Sequence, residues 1–319
     1  MKIEGVDIEA VFGCVPANAV DNLSGLAGLV GEEKAAGIVK ATGFTTRRVA
    51  AEGTDVFDLA LPAARRAMEG VDASAVGGVI AVSFSNRDRF PALSTRLQHA
   101  LGLSTDIAAY DISMACSGWV YGLYAATQLV KASGKKVLLV DGDVQSAWTD
   151  SSDPNTLAVM GDGASATLLA PGAGSWDFGF YTDGSGADTL RCREKITMDG
   201  FGVFRFVAGP VRKFLASFMQ SSELIAETKP VFVPHQANMY MVRQLADALG
   251  LKDRVCGSGE KYANTGSCSA ALTMADGIGD ISPDGERVPV LLAGFGAGLS
   301  AAAAATTVCA YRNGVVRHM

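Results

Sequence analysis

An internal repeat constrains this chain of 319 residues more than any single motif in it. VIAVSF before a helix ending LQHALGL answers to VFVPHQ before a helix ending LADALGL, and VLLVDGD answers to VLLAGFG. In the first copy, apolar β-branched runs at 79–83, 108–112, 137–140 and 164–169 read as strands, and 93–101 and 119–131 read as helices. The second copy follows the same order, with strands at 231–234 and 288–292 and helices at 239–249 and 269–279. The alternation predicts an α/β fold of two similar sheets packed face to face through shared helices, with a pseudo-two-fold axis between them. A two-domain doubly wound arrangement satisfies the same pattern. The junction is placed at Pro171-Gly172-Ala173-Gly174-Ser175, where turn residues separate two strand-like runs, giving halves 1–172 and 173–319.

Composition excludes several classes of function. A formal net charge of -6 provides no cationic footprint for a phosphate backbone, so nucleic acid is not an expected partner. No run reaches the about 18 uncharged apolar residues of a membrane span, since the closest, 291–305, is short and glycine-broken. Positions 1–30 mix Lys2, Glu4, Asp7 and Glu9 with apolar residues and lack the order of a secretory signal, which makes a cytoplasmic protein the expectation. The six cysteines, Cys14, Cys116, Cys192, Cys256, Cys268 and Cys309, lie far apart with no metal-ligand spacing. Reduced thiols are expected, most of them small core fillers and one free for chemistry.

Cys116 stands between an apolar strand and an amphipathic helix, which puts its sulfur at a helix N-terminus. Unpaired N–H groups and the positive end of the helix dipole favour a thiolate there, and Ser117-Gly118 leaves room for a substrate. A buried structural cysteine fits the segment equally well. His235 follows VFVP, so it emerges at the carboxyl end of a strand, where open α/β sheets place their sites. Of the other two histidines, His99 falls within a helix and His318 in a tail expected to fray. Asn264 precedes a helix, where it serves as a cap or, through the repeat, comes near the thiol and offers a neutral N–H to an enolate oxygen. The loop Gly294-Phe295-Gly296-Ala297-Gly298 lacks dinucleotide-binding spacing and suits a close approach of backbone N–H groups to a thioester carbonyl. Met160-Gly161-Asp162-Gly163-Ala164 reads as a structural turn.

Together DISMACSGW, MGDGASATLL, VPHQAN, YANTGSCSAA and LLAGFGAG resemble the β-ketoacyl-[acyl-carrier-protein] synthase III family of the thiolase superfamily, in family order and spacing. The resemblance covers nearly the whole chain. It implies a five-layered αβαβα fold, a homodimer, and a Cys116, His235, Asn264 active site with the Cys116 and Ala297 backbone N–H groups as oxyanion hole. It further implies that Phe90 lines the acyl pocket of a partner subunit and that Phe204 and Asn238 contact substrate. No metal or redox cofactor is implied.

The implied chemistry is acylation of Cys116 by an acyl thioester, then decarboxylative Claisen condensation with a malonyl-type thioester, in fatty-acid or specialised-metabolite biosynthesis. Three departures from the family pattern concern substrate delivery. Gly37 and Ala41 stand where housekeeping members place a tryptophan and an arginine around the adenine of coenzyme A. Tyr240 replaces an arginine of the carrier-protein patch, and Asp247 and Ala248 stand where lysines are common, while Arg205 retains a positive charge nearby. Acyl transfer to an alcohol or amine without decarboxylation, and a non-catalytic partner subunit of another ketosynthase, are the competing readings.

Overall fold

The protein is described by a computed structural model covering residues 1–277, 287–309 and 311–319. In chain order the elements that build the frame are β1 (Lys2–Pro16), α1 (Val56–Ala67), β2 (Val76–Val82), α2 (Leu93–Ala100), β3 (Ala108–Ile112), α3 (Gly118–Ser133), β4 (Lys136–Val144) and β5 (Asp162–Thr182). The second half continues with α4 (Arg212–Ser221), β6 (Val231–Pro234), α5 (Met239–Ala248), α6 (Ser269–Gly277), β7 (Val288–Gly296), β8 (Ser300–Val308) and β9 (Arg312–His318). The helix expected over 269–279 is thus found, with its last two positions outside the described residues.

Period-two patterning decides how these strands stack, because successive side chains leave a strand on opposite faces. In β2, Val79 and Ala81 pack with Leu59 and Ala63 of α1 and Leu93 and Leu97 of α2. Ile80 and Val82 point the other way, into a cluster with Trp119 and Leu123 of α3 and Ala271 and Met274 of α6. The second half does the same: Val290 and Leu292 of β7 join that central cluster, while Leu291 and Ala293 pack on Leu215 of α4 and Leu245 of α5. The inner strands of both sheets are buried on both faces, which is why they read as continuous apolar runs. Five layers result: α1 and α2, a sheet, α3 and α6, a sheet, α4 and α5. This is a thiolase-like α/β fold.

The repeat is visible in the pairing. β2 and β4 run parallel and β4 meets β5 antiparallel, as β6 and β7 run parallel and β7 meets β8 antiparallel. Three expectations are corrected. The two sheets are joined by hydrogen bonds into one nine-stranded sheet, because β5 pairs with β4 through its first half and with β8 through its second, and β1 runs alongside both halves. The Pro171–Ser175 stretch is therefore no turn: it lies inside β5, bulged against β1, with the Ala173 N–H donating to Asp7 Oδ2 at 2.9 Å. Nor does the tail fray, since β9 pairs parallel with β1 from Arg312 to His318.

Candidate active site

Cys116 and His235 are delivered by short irregular segments at the ends of core strands, and Asn264 by the turn between the short helix Gly259–Tyr262 and α6. After β3 the chain enters a 3₁₀ turn, Ala115–Ser117, that runs directly into α3 and carries Cys116. His235 follows β6 and is buried. Asn264 stands just before the 3₁₀ turn Gly266–Cys268 that leads into α6. Among the described residues only two non-glycine positions have positive φ: Ala115 at 42° immediately before Cys116, and Ala263 at 61° immediately before Asn264. Such conformations cost about 1–3 kcal/mol each and persist where the surroundings enforce them, commonly at functional sites.

Cys116, His235 and Asn264 line one cavity of about 400 Å³, together with Ile38, Ala41, Val203, Met241, Phe295 and Gly296. A larger open cleft of about 760 Å³ over Phe178–Tyr181 holds none of the three, and the smaller cavity is the candidate site because the reactive groups converge there. The backbone N–H groups of Cys116 and Ala297 both hydrogen-bond toward the sulfur. Gly294 and Gly296 allow this approach: a Cβ on Gly296 would lie 2.8 Å from the Cys116 Cβ, and one on Gly294 would lie 2.7 Å from the Ser117 Cα. Gly296→Ala is expected to slow alkylation of Cys116 by iodoacetamide by about 10-fold, since roughly 1.4 kcal/mol of crowding at the sulfur is enough for that. Labelling rates beside thermal melts of both proteins check it.

The thiol is not held as the thiolate that a helix N-terminus was expected to favour. Burial pushes Cys116 up to about 12, the nearby Asp143 carboxylate adds to the rise, and the two backbone N–H groups only partly oppose it. His235 is shifted in the complementary direction, since burial drives the imidazole down to about 4 against a smaller opposing effect from the Gly266 backbone. The resting pair is therefore a neutral thiol and a neutral imidazole. A rate that requires neutral His235 should hold through the range where an ordinary imidazole titrates, 6.5, and fall only with a midpoint of about 4. A pH profile of the isolated decarboxylation step measures this.

Ser269 Oγ lies 2.7 Å from His235 Nδ1 and accepts the Gln236 N–H at 3.1 Å. A T-shaped contact with Phe295, at 5.6 Å between ring centroids, holds the ring's face. Asn264 Oδ1 accepts the Gly266 N–H at 3.0 Å and its Nδ2 makes only a long 3.5 Å bond to the Ala237 carbonyl, which leaves amide hydrogen-bonding capacity for the cavity. Its backbone is clamped as well, with the carbonyl accepting from the Gly161 N–H at 2.8 Å and Gln145 Nε2 at 2.6 Å. Asn238 lines the cavity, but its Oδ1 caps α5 by accepting the Met241 N–H at 2.7 Å.

Other residues singled out from the sequence lie outside this cavity. Phe204 does not line the Cys116 cavity; it sits in an adjoining groove with Arg212, Met241 and Leu245, its ring 6.4 Å from that of Tyr240. Val203, one residue before it, and Val207, three residues after it, line the cavity in its place. Phe90 is 87% exposed and does not enter the cavity of its own chain. Asp162 of the expected structural turn is buried and accepts from the Ala50 and Ser146 N–H groups, which supports that reading. Cys14 and Cys268 are core fillers.

Asp143 and Ser269 were not singled out from sequence. Asp143 is fully buried and accepts from Ser83 Oγ, the Phe84 N–H, and Ser267 through N–H and Oγ, so it joins the Cys116 half to the Asn264 turn. Burial raises it to about 6 against those hydrogen bonds. The available signal was an acidic residue in a strand buried on both faces, VLLVDGD. Ser269 had no signal beyond its place at a helix start.

A thiolase-like fold in which a cysteine, a histidine and an asparagine meet in one cavity defines a condensing enzyme of the acyltransferase class. The chain belongs to the β-ketoacyl-[acyl-carrier-protein] synthase III family. The profile described as 3-Oxoacyl-[acyl-carrier-protein (ACP)] synthase III matches residues 110–184, and its C-terminal counterpart matches residues 219–308. The chain is 32% identical over 268 residues to the β-ketoacyl-[acyl-carrier-protein] synthase III of Geobacillus kaustophilus, covering 81% of this chain and 85% of that one. With synthase III 1 of Halalkalibacterium halodurans it shares 34% over 269 residues, 81% and 85% of the two chains. A 3-oxoacyl-(acyl-carrier protein) synthase from Burkholderia xenovorans LB400 superimposes with a TM-score of 0.93 at 28% identity, covering 100% of this chain and 98% of that one. The priming β-ketosynthase of the R1128 polyketide pathway gives a TM-score of 0.85 at 27% identity, with 96% and 97% covered. Among the described residues no helix is long and apolar enough to cross a membrane.

Proposed function

We propose that Cys116 accepts an acyl group from a thioester and that His235 and Asn264 then drive decarboxylative condensation with a malonyl-type thioester. The convergence of these three side chains in one cavity, with the Cys116 and Ala297 N–H groups directed at the sulfur, carries this reading. The cysteine sulfur attacks the thioester carbonyl and the carrier thiol leaves. The malonyl carboxylate departs as carbon dioxide, its electron pair forming an enolate whose oxygen receives hydrogen bonds from His235 and the Asn264 amide. The enolate carbon attacks the acyl-enzyme carbonyl, a carbon–carbon bond forms, the carbon–sulfur bond to Cys116 breaks, and a 3-oxoacyl thioester is released. The oxyanion of each tetrahedral state lies against the two backbone N–H groups, which are already in place before reaction.

Delivery of the thioester follows the altered mouth. A Cβ on Gly37 would meet nothing within 4 Å, Ala41 lines the cavity without a polar group, and Tyr240 is 51% exposed. These features support a donor gripped by its pantetheine-like arm and not by an adenine clamp, so an acyl carrier protein is favoured over coenzyme A. A homodimer is supported by the unpaired outer edge of β3, whose residues Ala108, Tyr110 and Asp111 are exposed, and by the projecting Phe90. The halves 1–172 and 173–319 are the repeat units of a cytoplasmic enzyme.

The test follows carbon dioxide from a carboxyl-labelled malonyl thioester with unacylated and acylated enzyme. Release coupled to formation of the 3-oxoacyl product supports condensation. Acyl transfer to an alcohol or amine with no release contradicts it.

A further inference from the structure

The turn that leads into α6 presents two different groups to the His235 ring. Ser269 Oγ is 2.7 Å from Nδ1. The Gly266 backbone, three residues earlier in the same turn, also hydrogen-bonds the ring and favours its protonated form, which is the behaviour of a carbonyl acceptor. Gly266 and Ser269 bracket one 3₁₀ turn, and His235 lines the same cavity as Cys116. A carbonyl can only accept, and so suits a ring protonated on Nδ1. A hydroxyl can also donate, and so suits a bare Nδ1. Ser269 is placed to donate: one of its lone pairs is taken by the Gln236 N–H, and Nδ1 is the acceptor within reach of its proton.

We infer that Ser269 is a positioning residue that holds His235 in the tautomer protonated on Nε2, with the Gly266 carbonyl holding the alternative. The Nε2–H tautomer serves decarboxylation, an inference that rests on the condensing reading above. An Nε2–H, backed by the Ser269 hydroxyl, can donate to the enolate oxygen during decarboxylation, with no net proton gained or lost by the ring. The ring remains neutral through this step, in keeping with its enclosure.

Ser269→Ala removes the donor and leaves the Gly266 carbonyl in place. Decarboxylation by the acylated enzyme should fall on the order of 100-fold or more, while acylation of Cys116 stays within about 3-fold. The resting protein reports the tautomer directly, since its three histidines permit ¹⁵N-imidazole spectra with His235 identified by its loss in His235→Gln. Wild type should show Nε2 protonated and Ser269→Ala should show Nδ1 protonated. Because Gln236 also loses an acceptor in that variant, Ser269→Thr, which keeps the hydroxyl, should restore both the wild-type spectrum and the decarboxylation rate. If Ser269→Ala does not fold, Ser269→Cys, a poor donor of similar volume, should show the same tautomer change. An unchanged tautomer in Ser269→Ala or Ser269→Cys, or equal losses in both half-reactions, overturns the inference. The spectra need no turnover, so their failure is distinct from a failure of wild-type Cys116 to acylate, which would remove the condensing reading itself.

Discussion

Cys116→Ala is expected to abolish condensation, lowering the overall rate by at least about 10,000-fold, because no other group at the cavity floor can carry the acyl chain. The other buried thiols cannot substitute for it. Cys268 is fully enclosed, donates to the Thr265 carbonyl at 3.1 Å and is pushed well above the ordinary thiol range by burial, and Cys14 is buried and raised to about 12. The fold should survive the change, since Cys116 is half-buried with one face on the cavity and alanine occupies part of the same space. Product formation from matched acyl and malonyl thioesters, with a thermal melt of each protein, separates loss of the nucleophile from loss of structure. Activity within about 10-fold of wild type would move the acyl acceptor elsewhere.

Asn264→Ala is expected to separate the two half-reactions. The amide touches the cavity through Nδ2, and Oδ1 is held by the Gly266 N–H, so the variant removes a donor that is already oriented. Loss of one such donor to a developing oxyanion costs about 100- to 1,000-fold. That loss should appear in carbon dioxide release from the malonyl thioester, whereas acylation of Cys116, whose oxyanion lies against backbone N–H groups, should change by less than about 10-fold. Simple acyl transfer to an alcohol or amine predicts an Asn264→Ala enzyme that works nearly as well as wild type. Pre-steady-state acylation and decarboxylation rates for the two proteins decide between them. Some cost in stability is expected too, because Gly266 loses its acceptor at the start of the turn.

Much of this architecture can be read from the chain because the repeat has a physical cause. Strands buried on both faces must be apolar at every position, and VLLVDGD and VLLAGFG occupy equivalent places beside helices that share one central layer. The single sheet was not legible. Pro-Gly-Ala-Gly-Ser has turn composition, yet Pro171 and Ser175 pair with β1 on either side of a bulge whose Ala173 N–H is held by the Asp7 carboxylate, and such long-range partners leave no trace in local sequence. The tail was misjudged for the same reason, since β9 is ordered by β1 at the other end of the chain.

The site divides along similar lines. Its residue types, the strand-end positions of Cys116 and His235 and the place of Asn264 before a helix follow from local pattern, and so does a helix N-terminus beside the thiol. The ionisation state of the thiol does not, because a dipole can be inferred from a helix start while desolvation and the placement of Asp143 depend on what packs around the sulfur. The neutral resting pair changes the order of events: proton transfer must accompany attack on the thioester and cannot precede it as a standing thiolate. Phe204 illustrates the resolution of sequence reasoning in a helix, where a one-residue step turns a side chain by about 100° and moves it from cavity to neighbouring groove.

The measurement that bears most directly on the central claim is the intact mass of the protein after incubation with a panel of acyl thioesters on coenzyme A and on an acyl carrier protein. Wild type should gain one acyl mass, located by proteolysis to the peptide containing Cys116, with the carrier-protein donors reacting fastest, and Cys116→Ala should gain none. A wild-type protein that acquires no acyl group from any donor, or an adduct that persists in Cys116→Ala, would contradict the account.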